Sequence, residues 1–316
     1  MTRDYRSGNP LVAVVNFYLY SNMHISLGAV ALAYLSGILL KDDAPFFIYP
    51  VIFCATFVLY NSQRLVAAFF ERYATGLMTE RKQWISKNKW WLAVLVLAAT
   101  AGGIGAFLQV KEEFSPADIT IPFLIAVLYA IPLIPTGQSW KRLRDIPYLK
   151  VFLIGFVWAW VTVLIPVRQT GYDCCEKEQW FELGRLLWFL ISFCFIVAIT
   201  VPFDIRDYYD DAEKLRTIPG VTGVRGAQWI AVLFLILASA LMMLFYFRVS
   251  SETIIVYRFG YYAAAFIIWA LITSLLIFMS TPERHDYFYS FVMDGTIFLL
   301  WILMLSAGYI ERFSES

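Results

Sequence analysis

Five acidic residues crowd into one short stretch of the chain, Asp204 to Pro219, which reads DIRDYYDDAEKLRTIP. It follows LLWFLISFCFIVAITVPF, a segment without charge. If the stretch is helical, four charged residues share one face about 80° wide, with Arg206 on the far side, at about 100° per residue. These four are Asp204, Asp207, Asp211 and Lys214. Because like charges one turn apart repel each other, the face needs a positively charged partner.

A magnesium ion suits this acidic face, because Mg²⁺ binds one or two carboxylates together with phosphate oxygens. We predict that Asp204, Asp207 and Asp211 are metal ligands. Asp207 and Asp211 would then act in catalysis with Lys214, which would touch a phosphate as a point charge. Such an assembly would bind a diphosphate. The alternative is that the charge run is the solvated end of a membrane helix, in which Arg and Lys balance the acids.

The elements that must position these residues are membrane helices. The chain is 60% hydrophobic and 16% charged, and its mean hydropathy is +0.66, outside the usual range of soluble domains. Apolar runs of about 20 residues, enough to cross about 30 Å of hydrocarbon, recur with short polar connections between them. The sequence therefore predicts an all-α polytopic membrane protein with about nine spans. They are 11–39, 45–70, 90–109, 117–135, 149–167, 181–203, 225–247, 255–279 and 287–309.

The orientation follows from the positions of Lys and Arg. The connections on the side of the N-terminus carry about twice as many of them as the opposite connections, which predicts a cytoplasmic N-terminus and an outside C-terminus. The acidic stretch then lies on the cytoplasmic side. We expect no cleavable signal peptide, and a bacterial inner membrane, with an organelle membrane as the alternative.

The spacing Asp204-x-x-Asp207-x-x-x-Asp211-x-x-Lys214 resembles the second aspartate-rich motif of the UbiA superfamily of intramembrane prenyltransferases. Thr217 three residues further on fits the same motif. The number of helices also resembles that family, as does a basic run after the fourth helix, Lys141-Arg142-Leu143-Arg144.

This resemblance implies a single domain over residues 1–316 with helices around a central cavity. Two four-helix halves, about 11–135 and 149–279, would form a pseudo-repeat, followed by a last helix at 287–309. The resemblance also implies Mg²⁺, a polyprenyl diphosphate and transfer of its prenyl group to a lipid-soluble, aromatic acceptor.

The first aspartate-rich motif of the family is degenerate in this sequence. Family members usually show Asn-x-x-x-Asp-x-x-x-Asp at the end of the second helix. The chain keeps Asn61 but has Leu65 and Phe69 at the two aspartate positions. Half of the expected metal site is therefore missing.

Basic residues replace these carboxylates, since Arg64 and Arg72 share the helical face of Asn61. We expect all three to contact the substrate. In one interpretation an arginine fork takes over charge neutralisation and grips the diphosphate bidentately. In the other, Arg64 pairs with Asp207 or Asp211 and the site is inert.

Several further residues are predicted substrate contacts. Lys141 and Arg142 could bind the diphosphate, and Tyr129 and Tyr208 could stabilise a prenyl cation with their ring faces. His24, in an unusually polar first helix, could orient an acceptor head group, or it could be a helix-to-helix hydrogen bonder.

These patterns favour a UbiA-like prenyltransferase. The alternatives are a non-catalytic or cyclase-type UbiA-like isoprenoid binder and, more distantly, a small-solute transporter. The expected partners are a polyprenyl diphosphate, a lipid-soluble acceptor and membrane lipids, and we expect no nucleic acid.

Overall fold

The chain folds into helices, joined in one place by a short hairpin. The computed structural model describes residues 10–40, 42, 44–70, 80–131, 134–136, 139–146, 148–167, 175–211, 217–249 and 256–314. The helices are α1 Pro10–Tyr20, α2 Met23–Leu40, α3 Ile48–Phe70, α4 Glu80–Val110, α5 Pro116–Ala130, α6 Leu149–Ala159, α7 Cys175–Arg206, α8 Tyr208–Asp211, α9 Ile218–Val249, α10 Val256–Phe278 and α11 Asp294–Ser314. Strands β1 Ile134–Thr136 and β2 Ser139–Lys141 pair antiparallel. Short helical turns occupy Lys111–Glu113 and Leu143–Asp145 (3₁₀) and Trp160–Leu164 and Phe288–Met293 (π).

The chain is an integral membrane protein. Within the described residues, seven helices are long and apolar enough to cross a bilayer: α2, α3, α4, α7, α9, α10 and α11 with its preceding π turn. The shorter apolar helices are α1, α5 and α6 with its π turn. The predicted spans 117–135 and 149–167 correspond to the shorter helices α5 and α6, and the other seven predicted spans correspond to the seven long helices. The all-α polytopic fold is thus confirmed.

The first predicted span, 11–39, is broken in its middle. α1 ends at Tyr20 and α2 begins at Met23, with Asn22 between them at a positive φ of 62°. Asn adopts this left-handed conformation more readily than most residues, because its short side chain can hydrogen-bond locally. The break aims the Asn22 side chain at α3 and α4, as described below.

Helix α4 begins ten residues before its predicted span of 90–109. The basic segment RKQWISKNK, Arg81 to Lys89, forms the first turns of α4 and is continuous with the apolar part of that helix. Ile85 is buried there and packs with Phe57 and Leu65 of α3. These apolar contacts hold the start of α4 against the end of α3 and bring Arg81 into the helix bundle.

Close helix packing positions α7, whose end carries the acidic stretch. In hydrocarbon the helices gain little from hydrophobic association, so small residues that allow close approach matter more. A Cβ added to Gly155 of α6 would lie 2.7 Å from a methyl carbon of Val197 in α7. A Cβ on Gly103 of α4 would lie 2.8 Å from the Cβ of Cys54 in α3. The two pairs, α6 with α7 and α3 with α4, are therefore fixed at short distance.

Candidate functional site

Asp204 forms an ion pair inside the protein. It lies in the last turn of α7, is 2% exposed, and accepts a hydrogen bond of 2.6 Å from Nζ of Lys150 in the first turn of α6. A buried charge is tolerated when it is paired and hydrogen-bonded. The structure thus places this predicted metal ligand in a structural pair between α6 and α7.

Asp207 is held by its neighbour in the chain. Nε of Arg206 donates to Oδ1 at 2.7 Å and Nη2 donates to Oδ2 at 3.0 Å, the bidentate geometry that guanidinium and carboxylate favour. The prediction that Arg206 faces away from the aspartates is wrong. A continuous helix was assumed there, but α7 ends at Arg206, Asp207 is a turn residue and α8 starts at Tyr208.

The charge on Asp207 is stabilised by this pair. Burial alone would raise the pKa of the Asp207 carboxyl, but Arg206, with help from Lys150 and Arg81, holds that pKa below its ordinary value. Asp207 therefore stays ionised at neutral pH.

Four predicted residues lie partly or wholly outside the described part of the chain. The backbone of Asp211 is described in α8 and that of Lys141 in β2, but their side chains are not. Lys214 and Arg72 lie outside the described residues altogether. Their roles stay predictions.

Three arginines from three helices lie within electrostatic range of one another. We call Arg64 of α3, Arg81 of α4 and Arg206 of α7 the arginine cluster. Each guanidinium interacts electrostatically with the other two. Such repulsion needs compensation, which comes in part from Asp207 and from Asp294 at the start of α11.

Arg64 does not hold Asp207, since that carboxylate is bound by Arg206. Among the described residues, the hydrogen bond of Arg64 is a long one, 3.5 Å from Nη1 to the carbonyl oxygen of Tyr20. In the described part of the chain Arg64 therefore does not pair with Asp207, while a pair with Asp211 stays a prediction because that side chain is not described.

Donor groups of the cluster remain unused. Nη2 of Arg81 donates to Oδ1 of Asn22 at 3.0 Å. Nε of Arg81 and Nη1 of Arg206 are buried and have no hydrogen-bond acceptor among the described residues. Since buried donors are normally paired, an anion with several oxygens is the complement that these groups lack.

Asn61, a predicted substrate contact, is connected to the arginine cluster by hydrogen bonds through Asn22. Its Nδ2 donates to the carbonyl oxygens of Ser21 and Phe57 at 2.9 and 2.8 Å, and its Oδ1 accepts from Nδ2 of Asn22 at 2.7 Å. Asn22 in turn accepts from Arg81. In the structure Asn61 fixes the break between α1 and α2 and, through it, Arg81.

The two replaced positions of the first motif supply no polar group. Leu65 is buried against α4, and the Phe69 ring is exposed on the outside, where it packs on Trp90 and Lys89. The α3 side of the site is thus basic and apolar.

A large apolar cavity lies next to the cluster. It has a volume of ≈ 860 Å³ and walls from α2 to α6, with Arg142 and Arg144 among its lining residues. This size is typical of small-molecule pockets. Lining side chains such as Ile104 and Phe123 are also exposed on the outer apolar surface, so the cavity opens toward the hydrocarbon.

Tyr60 connects the cavity to the arginine cluster. It lines the cavity together with Trp158, whose Nε1 donates to the Tyr60 hydroxyl at 3.1 Å. The same hydroxyl interacts electrostatically with Asp294 and Arg64. An apolar chain in the cavity could therefore carry a charged head at the cluster.

The predicted aromatic contacts lie apart from each other. Tyr129 lies 6.0 Å from the Arg144 guanidinium, measured to the ring centroid, near the basic side of the cavity. Tyr208 packs its ring on Tyr209 in α8, with centroids 5.4 Å apart. Of these two tyrosines, Tyr129 lies beside a residue that lines the cavity, Arg144.

His24 makes helix-to-helix contacts. It is buried, its Nδ1 lies 2.9 Å from the hydroxyl of Tyr18, and its ring packs on Phe298 of α11 at 4.8 Å between centroids. These contacts match the alternative interpretation that the sequence left open.

Sequence reasoning missed Arg81, Arg206, Lys150 and Asp294 as members of one site. A signal was present for two of them, because an ionisable residue within a membrane helix requires a partner or water. Lys150 and Asp294 both lie inside predicted spans, 149–167 and 287–309, and could have been assigned on that ground. Arg81 and Arg206 depend on where α4 begins and α7 ends.

The comparisons with known proteins bear on the fold. No protein-family model and no curated protein sequence matches the chain. Solved structures do: a UbiA homologue from Archaeoglobus fulgidus bound to GPP and Mg²⁺ has a TM-score of 0.62 at 12% identity, covering 93% of this chain and 99% of that one. The chain has a UbiA-like fold.

Two further structures agree. The Archaeoglobus fulgidus UbiA homologue bound to DMAPP and Mg²⁺ gives a TM-score of 0.61 at 11% identity, again over 93% of this chain and 99% of that chain. An apo UbiA homologue from Aeropyrum pernix K1 gives 0.54 at 14% identity, over 91% and 98%. The predicted UbiA-like architecture is confirmed, while the predicted repeat of two halves stays a prediction.

Proposed function

We propose that this UbiA-like protein is a prenyltransferase that binds a polyprenyl diphosphate and transfers its prenyl group to a lipid-soluble acceptor. The observation that carries the proposal is the position of Tyr60, which lines the large apolar cavity and lies one helical turn before Arg64 in α3. An apolar cavity beside a group of arginines matches an isoprenoid chain joined to a diphosphate. Binding of GPP and DMAPP by the Archaeoglobus homologue supports the same substrate class.

The chemistry begins with breakage of the bond between the allylic carbon and the diphosphate oxygen. The electron pair leaves with the diphosphate, and fixed positive groups at that end stabilise the growing negative charge. Arg64, Arg81 and Arg206 would supply this positive charge. The ring faces of Tyr60 and Trp158 would stabilise the prenyl cation. The acceptor then forms the new bond to the allylic carbon and loses a proton.

Other predicted residues retain their proposed roles. Arg142 lines the cavity and would add positive charge at its rim, together with Lys141, Arg72 and Lys214. Tyr129 would face the prenyl chain. Tyr208 and His24 lack a described contact with the cavity and are weaker candidates.

Mg²⁺ accompanies the prenyl diphosphates in the Archaeoglobus homologue, and Asp207 suits it here. Each carboxylate oxygen accepts one hydrogen bond from Arg206 and keeps a second lone pair, and the side chain is 33% exposed. We propose that Asp207 and Asp211 hold the ion, whereas Asp204 would join only if its pair with Lys150 opened. Mg²⁺ bound there would neutralise charge on the diphosphate.

The location follows from the charge distribution in the sequence. We propose that the N-terminus and the arginine cluster face the cytoplasm and the C-terminus faces outside, in a bacterial inner membrane. Labelling of single cysteines at the two termini in intact cells and in inverted vesicles would test this orientation.

An assay of diphosphate release tests the function. Purified protein incubated with labelled geranyl or farnesyl diphosphate, an aromatic lipid acceptor and Mg²⁺ should release diphosphate, and Asp207→Ala should abolish release. The matched control is Glu283→Gln, which removes an exposed carboxylate near α8. Binding without release would favour the non-catalytic isoprenoid binder, and ion-coupled uptake into vesicles would favour the transporter.

A further inference from the structure

The arginine cluster contains buried N–H donors without acceptors among the described residues. Resting on the proposed function, we propose that Arg64, Arg81 and Arg206 bind the diphosphate head directly, so that binding does not require a metal ion. Mg²⁺ would then matter for the departure of the diphosphate and not for its capture.

The unused donors point to an anion with several oxygens. Two buried nitrogens, Nε of Arg81 and Nη1 of Arg206, have no acceptor among the described residues, and Arg64 makes a long bond to a carbonyl. A guanidinium group offers five N–H donors in a fixed fork that matches phosphate oxygens. Three such groups from three helices could surround a diphosphate.

The donors are also held in place before any ligand arrives. Arg81 is fixed by Asn22, which is fixed by Asn61, and Arg206 is fixed by Asp207. Holding the groups in advance lowers the ordering cost of binding.

The described carboxylates near the arginine cluster lie within reach of its positive charge. Asp207, Asp286 and Asp294 interact electrostatically with Arg206, and they offset the repulsion among the arginines when no ligand is bound. In the part of the chain that is described, no group of three or more His, Cys, Asp or Glu side chains could hold a metal ion. On the α3 side, arginine thus takes over the charge neutralisation for which the family uses carboxylates and metal.

Binding of geranyl diphosphate to the full chain in detergent, measured by isothermal titration calorimetry in EDTA and in Mg²⁺, tests this proposal. We expect dissociation constants that agree within about threefold in the two buffers. Arg64→Gln and Arg81→Gln should each weaken binding in EDTA about 10- to 100-fold, as expected for loss of hydrogen bonds to a charged group. Lys87→Gln, which removes an exposed charge from the same helix α4, should leave the affinity unchanged.

The outcomes separate this proposal from the proposed function. Tight binding in Mg²⁺ that disappears in EDTA would overturn the metal-free site and leave the proposed function standing. No binding in either buffer would overturn the proposed function itself. If the glutamine variants fail to fold, Arg81→Lys keeps the charge but loses the fork, and it should still weaken binding. Wild-type affinity of Arg81→Lys would contradict a bidentate contact.

Discussion

The end of α3 and the end of α7 both supply charged residues to the site, and the charges differ in how they are paired. At the end of α7, each described carboxylate is bound: Asp204 to Lys150 and Asp207 to Arg206. On the side of α3, Arg64 and the neighbouring Arg81 keep donors with weak or missing acceptors. The acidic end is neutralised within the protein, and the basic side is left to be neutralised by a ligand.

This difference shows that a conspicuous sequence motif does not by itself identify the residues that bind a ligand. The run of aspartates is the most noticeable feature of the sequence, yet its buried member serves to join α6 and α7. The groups suited to a diphosphate are arginines, and within the two motifs Arg206 and Arg64 stand at positions between or beside those of the aspartates. A site of this kind is recognised by which polar atoms lack partners.

The largest expected effect is on stability, at the acidic end. Asp204→Leu leaves Lys150 charged and without its buried partner, which should cost about 3–5 kcal/mol of unfolding free energy. Lys150→Met combined with Asp204→Leu should recover most of this loss. Thermal unfolding of the three variants in detergent measures the effect. A stability of Asp204→Leu equal to the wild type, combined with loss of Mg²⁺ binding, would instead make Asp204 a metal ligand.

A second prediction concerns the ion pair between Arg206 and Asp207 at the end of α7. Arg206→Gln removes one arm of the cluster and leaves Asp207 without its partner, so geranyl diphosphate affinity in EDTA should fall about 100-fold, within the range for truncating a buried charge pair. Adding Asp207→Asn should restore at least part of the affinity, because the unpaired negative charge disappears. Equal affinities of the single and double variants would show that Asp207 does not influence the headgroup.

A third prediction concerns the apolar cavity, which a larger side chain would fill. Ala55 lines the cavity on α3, nine residues before Arg64. Ala55→Trp should therefore weaken binding of long prenyl diphosphates about tenfold, a typical size for a change in an apolar pocket, while sparing dimethylallyl diphosphate. Leu97→Trp on the exposed face of α4 is the control. An equal loss of affinity for short and long prenyl diphosphates would show that the prenyl group binds outside this cavity.

The smallest expected effect is at Tyr60. Tyr60→Phe removes the hydroxyl that accepts from Trp158, a change worth about 1 kcal/mol. Affinity for geranyl diphosphate should fall about fivefold at that energy, and affinity for inorganic pyrophosphate should stay the same. Parallel titrations with both ligands measure this, and a loss for both would assign Tyr60 to the headgroup.

Much of the fold could be predicted because the hydrocarbon solvent leaves few choices. Each apolar run of sufficient length becomes a helix, so the nine spans and the resemblance to the UbiA family follow from hydropathy and the aspartate spacing. The boundaries were less predictable. α4 extends to Glu80 because Ile85 finds an apolar partner in α3, and α1 separates from α2 at a residue that tolerates positive φ.

The site was harder to predict because it depends on those boundaries. Helical periodicity placed Arg206 away from the aspartates, but its long side chain reaches the carboxylate of its neighbour Asp207. Asn61 was recognised from the family motif, yet its partner Asn22 lies in an unpredicted break. Arg64 was singled out because a membrane helix rarely carries a charge without function, and its contact with substrate stays a prediction.

The most direct measurement is an experimental structure of the full chain in lipid nanodiscs with geranyl thiolodiphosphate, an analogue that resists ionisation. The account predicts phosphate oxygens within hydrogen-bond distance of Arg64, Arg81 and Arg206, and the prenyl chain beside Tyr60 and Trp158 in the cavity. A headgroup bound elsewhere, with the Arg81 and Arg206 nitrogens still lacking acceptors, would contradict it.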